Sequence, residues 1–254
     1  MCRIIGFVGS VGGVGKTSLV FEFAKHLASL KQKVCVFDGC FSNNSIIYKF
    51  NKKDSVDFKE YLVGDCLPDD VLNNETKYMC FVKTNSSSFN YVKYAKMIER
   101  FFEEIESEFD YILVDVGHFI SLFLKIVTEV IVVTDDYKES VLKTYRLLKK
   151  VKMYENVLNV KLVLNKACVA LEMKGERISK SDYEEFLKTE VLCVVPKFVK
   201  WNYFNYKNIT KNNKVFIENF CNVLITNQAS SYNYEKKFKG VIGFFRRKWH
   251  EKFE

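Results

Sequence analysis

The apolar residues of this chain gather in short, mostly continuous runs at residues 4–8, 34–37, 78–82, 111–114, 130–133, 160–164 and 191–195. A strand with one wet face alternates apolar and polar positions, whereas a continuous run suits a strand covered on both faces. Between these runs, residues 16–30, 92–108, 138–152 and 180–189 repeat their apolar positions at helical spacing. Parallel strands need long crossover connections, and helices of these lengths supply them. The pattern predicts an α/β fold, a mostly parallel sheet of seven or eight strands with helices on both faces.

With 254 residues, 48% of them hydrophobic, the chain can bury one large core. Its apolar stretches fall far short of the roughly eighteen residues that cross a bilayer. The opening Met1-Cys2-Arg3 runs directly into a strand pattern, without the basic, apolar and small-residue succession of a secretory signal, so a cytoplasmic protein is expected. Of the eight cysteines, Cys35, Cys80, Cys193 and Cys221 sit within apolar runs and no pair has CxxC spacing. They read as buried thiols, neither disulfides nor metal ligands. The net charge is +8, and residues 235–254 alone carry seven Lys or Arg against three Glu. The polar stretch before them, TNQASSYNY at 226–234, reads as a tether. The expected organisation is a domain over 1–225, a tether over 226–234 and a basic tail over 235–254.

Residues 9–17 read GSVGGVGKT, at the end of the first strand pattern and the start of the first helix pattern. That context makes the motif a phosphate loop of the P-loop NTPase kind. Gly12, Gly13 and Gly15, with Val14 among them, let backbone N–H groups approach phosphate oxygens, and the helix opening at Lys16-Thr17-Ser18 adds its positive end. Lys16 is expected to reach the β and γ phosphates, and the Thr17 hydroxyl to ligate Mg²⁺. Asp38 and Asp115 close two strand patterns, at the edge where open parallel sheets bind ligands, and are candidates for organising the metal's waters. A helix cap or turn is the alternative for each. Asn165, after residues 160–164, is suited to a base edge, with a turn again the alternative.

The loop, VFD at 36–38, FDYILVD at 109–115, VIVVT at 130–134, LVLNK at 162–166 and VVP at 194–196 together resemble the MinD/ParA family of deviant Walker A P-loop ATPases, nearly end to end. Residues 55–65 and the tail resemble its MinD branch, whose members sit on the membrane and position the division site. The resemblance implies ATP over GTP, bound along Gly12, Gly13, Val14, Gly15, Lys16, Thr17 and Ser18. It implies that Lys16 and Asp38 carry catalysis, that Asp38 and Asp115 act on the metal through water, and that Asn165 with the stretch from Pro196 holds adenine. It also implies an ATP-dependent dimer, with a second copy or with a related ATPase.

Two positions depart from the family pattern. The loop lysine that members extend across the dimer is Val11 here, and Cys40 stands where many members have the Asp that positions the attacking water. Transfer of a phosphoryl group to water depends on positioning and charge stabilisation, so these losses are expected to slow hydrolysis by several orders of magnitude while leaving binding intact. A working ATPase with catalytic groups supplied by other residues or by a partner is the opposing reading.

In the tail, Phe238, Val241, Ile242, Phe245, Trp249 and Phe253 fall on one face of a helix drawn at 100° per residue, flanked by Lys and Arg. This is the pattern of an amphipathic helix lying on an anionic membrane surface, peripheral on its inner face. A helix packed on the chain's own core is the alternative. Nucleic acid is disfavoured as a partner, because it selects spread basic residues and not an aromatic stripe. A pilus- or flagellum-positioning ATPase, or a ParA-like DNA-binding partitioning ATPase, would share the same nucleotide site.

Overall fold

The structure, a computed structural model, describes residues 2–41, 55–84, 89–197 and 211–228. In chain order the elements are β1 (Arg3–Gly9), α1 (Lys16–Ser29), β2 (Val34–Gly39), α2 (Phe58–Val63), β3 (Asn73–Thr76), β4 (Met79–Val82), α3 (Ala95–Ile105), β5 (Tyr111–Val116) and α4 (Ile120–Phe123). There follow β6 (Glu129–Thr134), α5 (Lys138–Val151), β7 (Asn159–Ala167), α6 (Val169–Glu172), α7 (Lys180–Leu187), β8 (Val191–Pro196) and α8 (Lys211–Thr226). The strands form one eight-stranded sheet in the order β3-β4-β2-β5-β1-β6-β7-β8. β1 with β5, β2 with β4 and β5, and β7 with β8 all run parallel, and β3 runs antiparallel to β4.

The continuous apolar runs have the meaning expected of them. β2, β4, β5, β6 and β8 are buried at every position, as strands covered on both faces must be. All seven runs become strands. The eighth, β3, has the sequence NNET and is half-buried to exposed; a short polar edge strand carries no apolar signal and resists edge-to-edge pairing. The four helical patterns are found as well. The pattern at 92–108 is an α-helix only over α3, bounded by 3₁₀ turns at Tyr91–Tyr94 and Glu106–Glu108. α7 starts at a capping box, Ser179 with Asp182, and stops where Lys188 turns left-handed at φ 48°.

By contact the chain divides into two compact units. The first comprises Met1–Val8, Lys16–Ile131 and Lys150–Val160. Its core centres on Phe37 of β2, whose ring lies 4.9 Å from Phe58, 5.0 Å from Phe102 and 5.6 Å from Phe123. Rings that meet edge-on, as Phe58 and Phe123 do with Phe37, add to the stabilisation from burial itself. The second unit comprises Gly9–Gly15, Val132–Lys149 and Lys161–Glu254. Apolar residues of α8, among them Phe220, Cys221 and Leu224, are buried there. So is a polar cluster in which Thr134 Oγ1 meets Thr144 Oγ1 at 2.8 Å and Tyr183 donates to the Asp135 carbonyl at 2.7 Å.

All eight cysteines are free thiols. Burial pushes the Cys193 thiol up to about 12, which keeps it protonated and inert. Among the described residues no helix is long and apolar enough to cross a membrane. The tail residues Phe238, Val241, Ile242, Phe245, Trp249 and Phe253 lie outside the described residues.

Candidate functional site

In the second unit, the glycine loop leaves β1 with its start pinned to β6. Ser10 N–H donates to the Val133 carbonyl at 3.0 Å, and Ser10 Oγ donates to Thr134 Oγ1 at 2.9 Å. Gly13 and Gly15 adopt φ of 77° and 88°, the left-handed region that glycine enters without strain. At Gly15 a side chain is excluded on a second count, because a Cβ would stand 2.5 Å from Asn165 Nδ2. Gly12 and Gly13 are exposed, whereas Val14 is buried and anchors the loop.

Asn165 and Pro196 come to the same sheet edge. The β7–β8 register pairs Asn165 with Val195 and Ala167 with Pro196. Asn165 is 2% exposed, and its Nδ2 donates to the Val14 carbonyl at 2.7 Å. Its Oδ1 is buried with no hydrogen-bond partner among the described residues. A buried acceptor left open is costly, and a ligand donor would satisfy it.

In the first unit, the β2–β5 register sets Asp38 directly beside Asp115, both fully buried. Asp38 Oδ1 accepts the Cys40 N–H at 3.0 Å, and the Thr84 hydroxyl donates to the Asp38 carbonyl at 2.6 Å. Lys16 reaches across from the first turn of α1, pairing its ammonium with Asp115 Oδ1 and standing 3.5 Å from Cys40 Sγ. Burial pulls the Lys16 ammonium below its ordinary value, while Cys40 and Asp38 pull it back up. One ligand atom from each of Asp38, Cys40 and Asp115 lies within 4.8 Å of the others. Asp115 Oδ2 is buried with no hydrogen-bond partner among the described residues, so acceptor capacity remains on this carboxylate. Two adjacent carboxylates suit a hard cation such as Mg²⁺ and its waters; the sulfur of Cys40 does not. Thr17 is half-buried, and Ser18 is buried in α1.

The residues singled out from sequence thus fall into two clusters. Lys16, Asp38 and Asp115 meet in the first unit, together with Cys40; Gly13, Val14, Gly15 and Asn165 meet in the second. Sequence reasoning missed two contributors, Ser10 with Thr134, and Lys166, whose Nζ lies 2.5 Å from the Gly13 carbonyl. Lys166 comes directly after Asn165 at the end of a strand run, a position from which a side chain can reach a loop at the same sheet edge.

Residues 2–164 match the model of an AAA domain family. A septum site-determining protein MinD from Buchnera aphidicola subsp. Schizaphis graminum is 27% identical over 218 residues, covering 78% of this chain and 79% of that protein. Among solved structures, the MinC:MinD cell division protein complex of Aquifex aeolicus superposes with a TM-score of 0.77 at 18% identity, over 91% of this chain and 99% of that one. The septum site-determining protein MinD of Pyrococcus horikoshii OT3, complexed with Mg-ADP, gives 0.73 at 19% identity, over 91% and 100%. At these identities the structural likeness is one of fold.

Proposed function

The chain belongs to the MinD/ParA family of P-loop ATPases, and from that premise we propose that it binds ATP with Mg²⁺, associates reversibly with the inner face of an anionic membrane, and organises the positioning of division or other cell-surface machinery. The observation that carries the nucleotide part is Lys16 at the foot of a glycine loop, half-buried and paired with Asp115 beside Asp38, both carboxylates fully buried. The family relative from Pyrococcus was solved with Mg-ADP, which supports the same ligand class.

In this reading the backbone N–H groups from Gly12 to Thr17 take phosphate oxygens, and Lys16 exchanges Asp115 for the β and γ phosphates. Asp115 and Asp38 would then hold the waters of Mg²⁺ and the Thr17 hydroxyl would ligate it. The ion would supply positive charge to neutralise the phosphates. The open Asn165 Oδ1 accepts from a base amine, which adenine presents at its six-membered ring and guanine replaces with an acceptor at that edge; Pro196 lies at the neighbouring strand end. Val11 and Cys40 supply neither the cation nor the carboxylate that hydrolysis uses, so turnover is slow and ATP acts mainly as a switch for pairing with a second copy or a related ATPase.

Membrane association rests on the stripe Phe238, Val241, Ile242, Phe245, Trp249 and Phe253 with its basic flanks. One short amphipathic helix binds weakly, and two on a dimer bind far more tightly through effective concentration, which would link ATP to membrane residence. The test combines sedimentation with anionic liposomes and phosphate release, in ATP and in ADP, for the full chain and for one lacking residues 235–254. The full chain should sediment more in ATP than in ADP with slow phosphate release, and the shortened chain should stay in the supernatant while still binding nucleotide. Equal sedimentation of the shortened chain would refute the membrane role.

A further inference from the structure

Lys166 adopts a backbone conformation that lysine rarely takes. Its φ of 59° lies in the left-handed region, where a Cβ crowds the following carbonyl. The pairing of β7 with β8 also shifts register between Asn165 and Ala167, so the ladder is irregular at this residue. Irregularities of this kind re-aim a side chain, and strain of this kind persists only where the surroundings hold it. Here the side chain lies along the glycine loop, and Nζ donates to the Gly13 carbonyl at 2.5 Å. Asn165, one residue earlier, donates Nδ2 to the Val14 carbonyl at 2.7 Å.

Two successive side chains from one strand end therefore hold two successive carbonyls of the loop. In a trans peptide the carbonyl of one residue and the N–H of the next point in opposite directions. Holding the Gly13 carbonyl fixes the Val14 N–H on the far side of the peptide, and holding the Val14 carbonyl does the same for the Gly15 N–H. Gly13 and Gly15 would otherwise give this stretch wide rotational freedom.

We propose that Lys166 is a positioning residue for phosphate binding, which together with Asn165 latches the loop so that the N–H groups of Val14 and Gly15 face an incoming phosphate before it arrives. The proposal rests on the reading of the loop as a nucleotide site. A loop ordered in advance loses less freedom on binding, and that difference appears directly as affinity. The Lys166 ammonium also adds positive charge beside a loop meant for an anion.

The test uses the full chain with Lys166→Met, which keeps the stem and removes the donor, and Lys166→Arg, which keeps a charged donor. Three quantities are read: backbone amide order parameters at Val14 and Gly15 without nucleotide, Mg-ATP affinity by calorimetry, and the thermal midpoint. Lys166→Met should lower the order parameters from about 0.85 toward about 0.6 and bind Mg-ATP about tenfold more weakly, with Lys166→Arg keeping the parent's order parameters and an affinity within about threefold of it. The thermal midpoint should hold in each variant. Unchanged order parameters and affinity in Lys166→Met would overturn the proposal, as would a loss shared equally by Lys166→Arg or one that tracks a fall in the thermal midpoint. Failure of the parent chain to bind Mg-ATP would sink the nucleotide reading instead, and the order parameters would still decide whether the latch exists.

Discussion

Lys16 is a half-buried cation among groups that can do without it only if something else replaces it. Its ammonium pairs with Asp115 Oδ1, and removing Lys16 would strand the charge of the fully buried Asp115. In the proposed reading triphosphate is that replacement: it would offer Lys16 more negative charge than Asp115 does and would release that carboxylate toward a metal. Beside them, in the same reading, Cys40 limits the hydrolytic step after binding. Its thiol touches Lys16 at 3.5 Å but neither accepts a proton from water nor orients one as a carboxylate would. Cys40→Asp should therefore raise the phosphate-release rate about tenfold or more without strengthening Mg-ATP binding, measured by single-turnover kinetics. An unchanged rate would mean that position 40 is not where hydrolysis is limited.

At the scale of elements, the two carboxylates meet because β2 and β5 lie in register and their ends approach closely. Gly117 N–H donates to the Gly39 carbonyl at 3.1 Å, and a Cβ on Gly117 would stand 2.6 Å from Cys40 Cα. Backbone cannot yield as a side-chain tip can, so Gly117→Ala should destabilise the chain by about 2 kcal/mol, read as a lower denaturant midpoint. A midpoint equal to that of the parent would show that the strand ends are looser than this packing implies. Much of this arrangement is legible in sequence. Asp38 and Asp115 each come at the end of a continuous apolar run, so their place at a strand end needs only the period of the pattern. The meeting of Asp38 with Asp115 is not legible, because register is a property of two strands. β3 is hidden because NNET has no apolar period, and α8, whose residues 211–226 mix polar and apolar positions without a start signal, is hidden for a similar reason. The place of Asn165 near a strand end is legible, but not the division of its amide between the loop carbonyl and an open acceptor. Lys166 depends on a left-handed φ and a register shift that only the β7–β8 pairing creates.

Across the whole molecule, the candidate residues of each unit stand at the C-terminal ends of parallel strands, the end at which this class of sheet places its ligands. β1 leads into the loop, Asp38 and Asp115 each stand one residue before the end of β2 and β5, and β7 carries Asn165 and Lys166 near its end. Half of the excess positive charge falls in residues 235–254 of the sequence, so the nucleotide reading and the membrane reading rest on different stretches and each can be tested alone. The nucleotide reading comes first, since dimerisation, membrane residence and slow turnover all presuppose it. Calorimetric titration of the full chain with Mg-ATP, beside Lys16→Ala, tests it most directly. Saturable binding at one site per chain is expected, weakened about a hundredfold or more in Lys16→Ala. Absence of binding, or equal affinity in the two proteins, would contradict it.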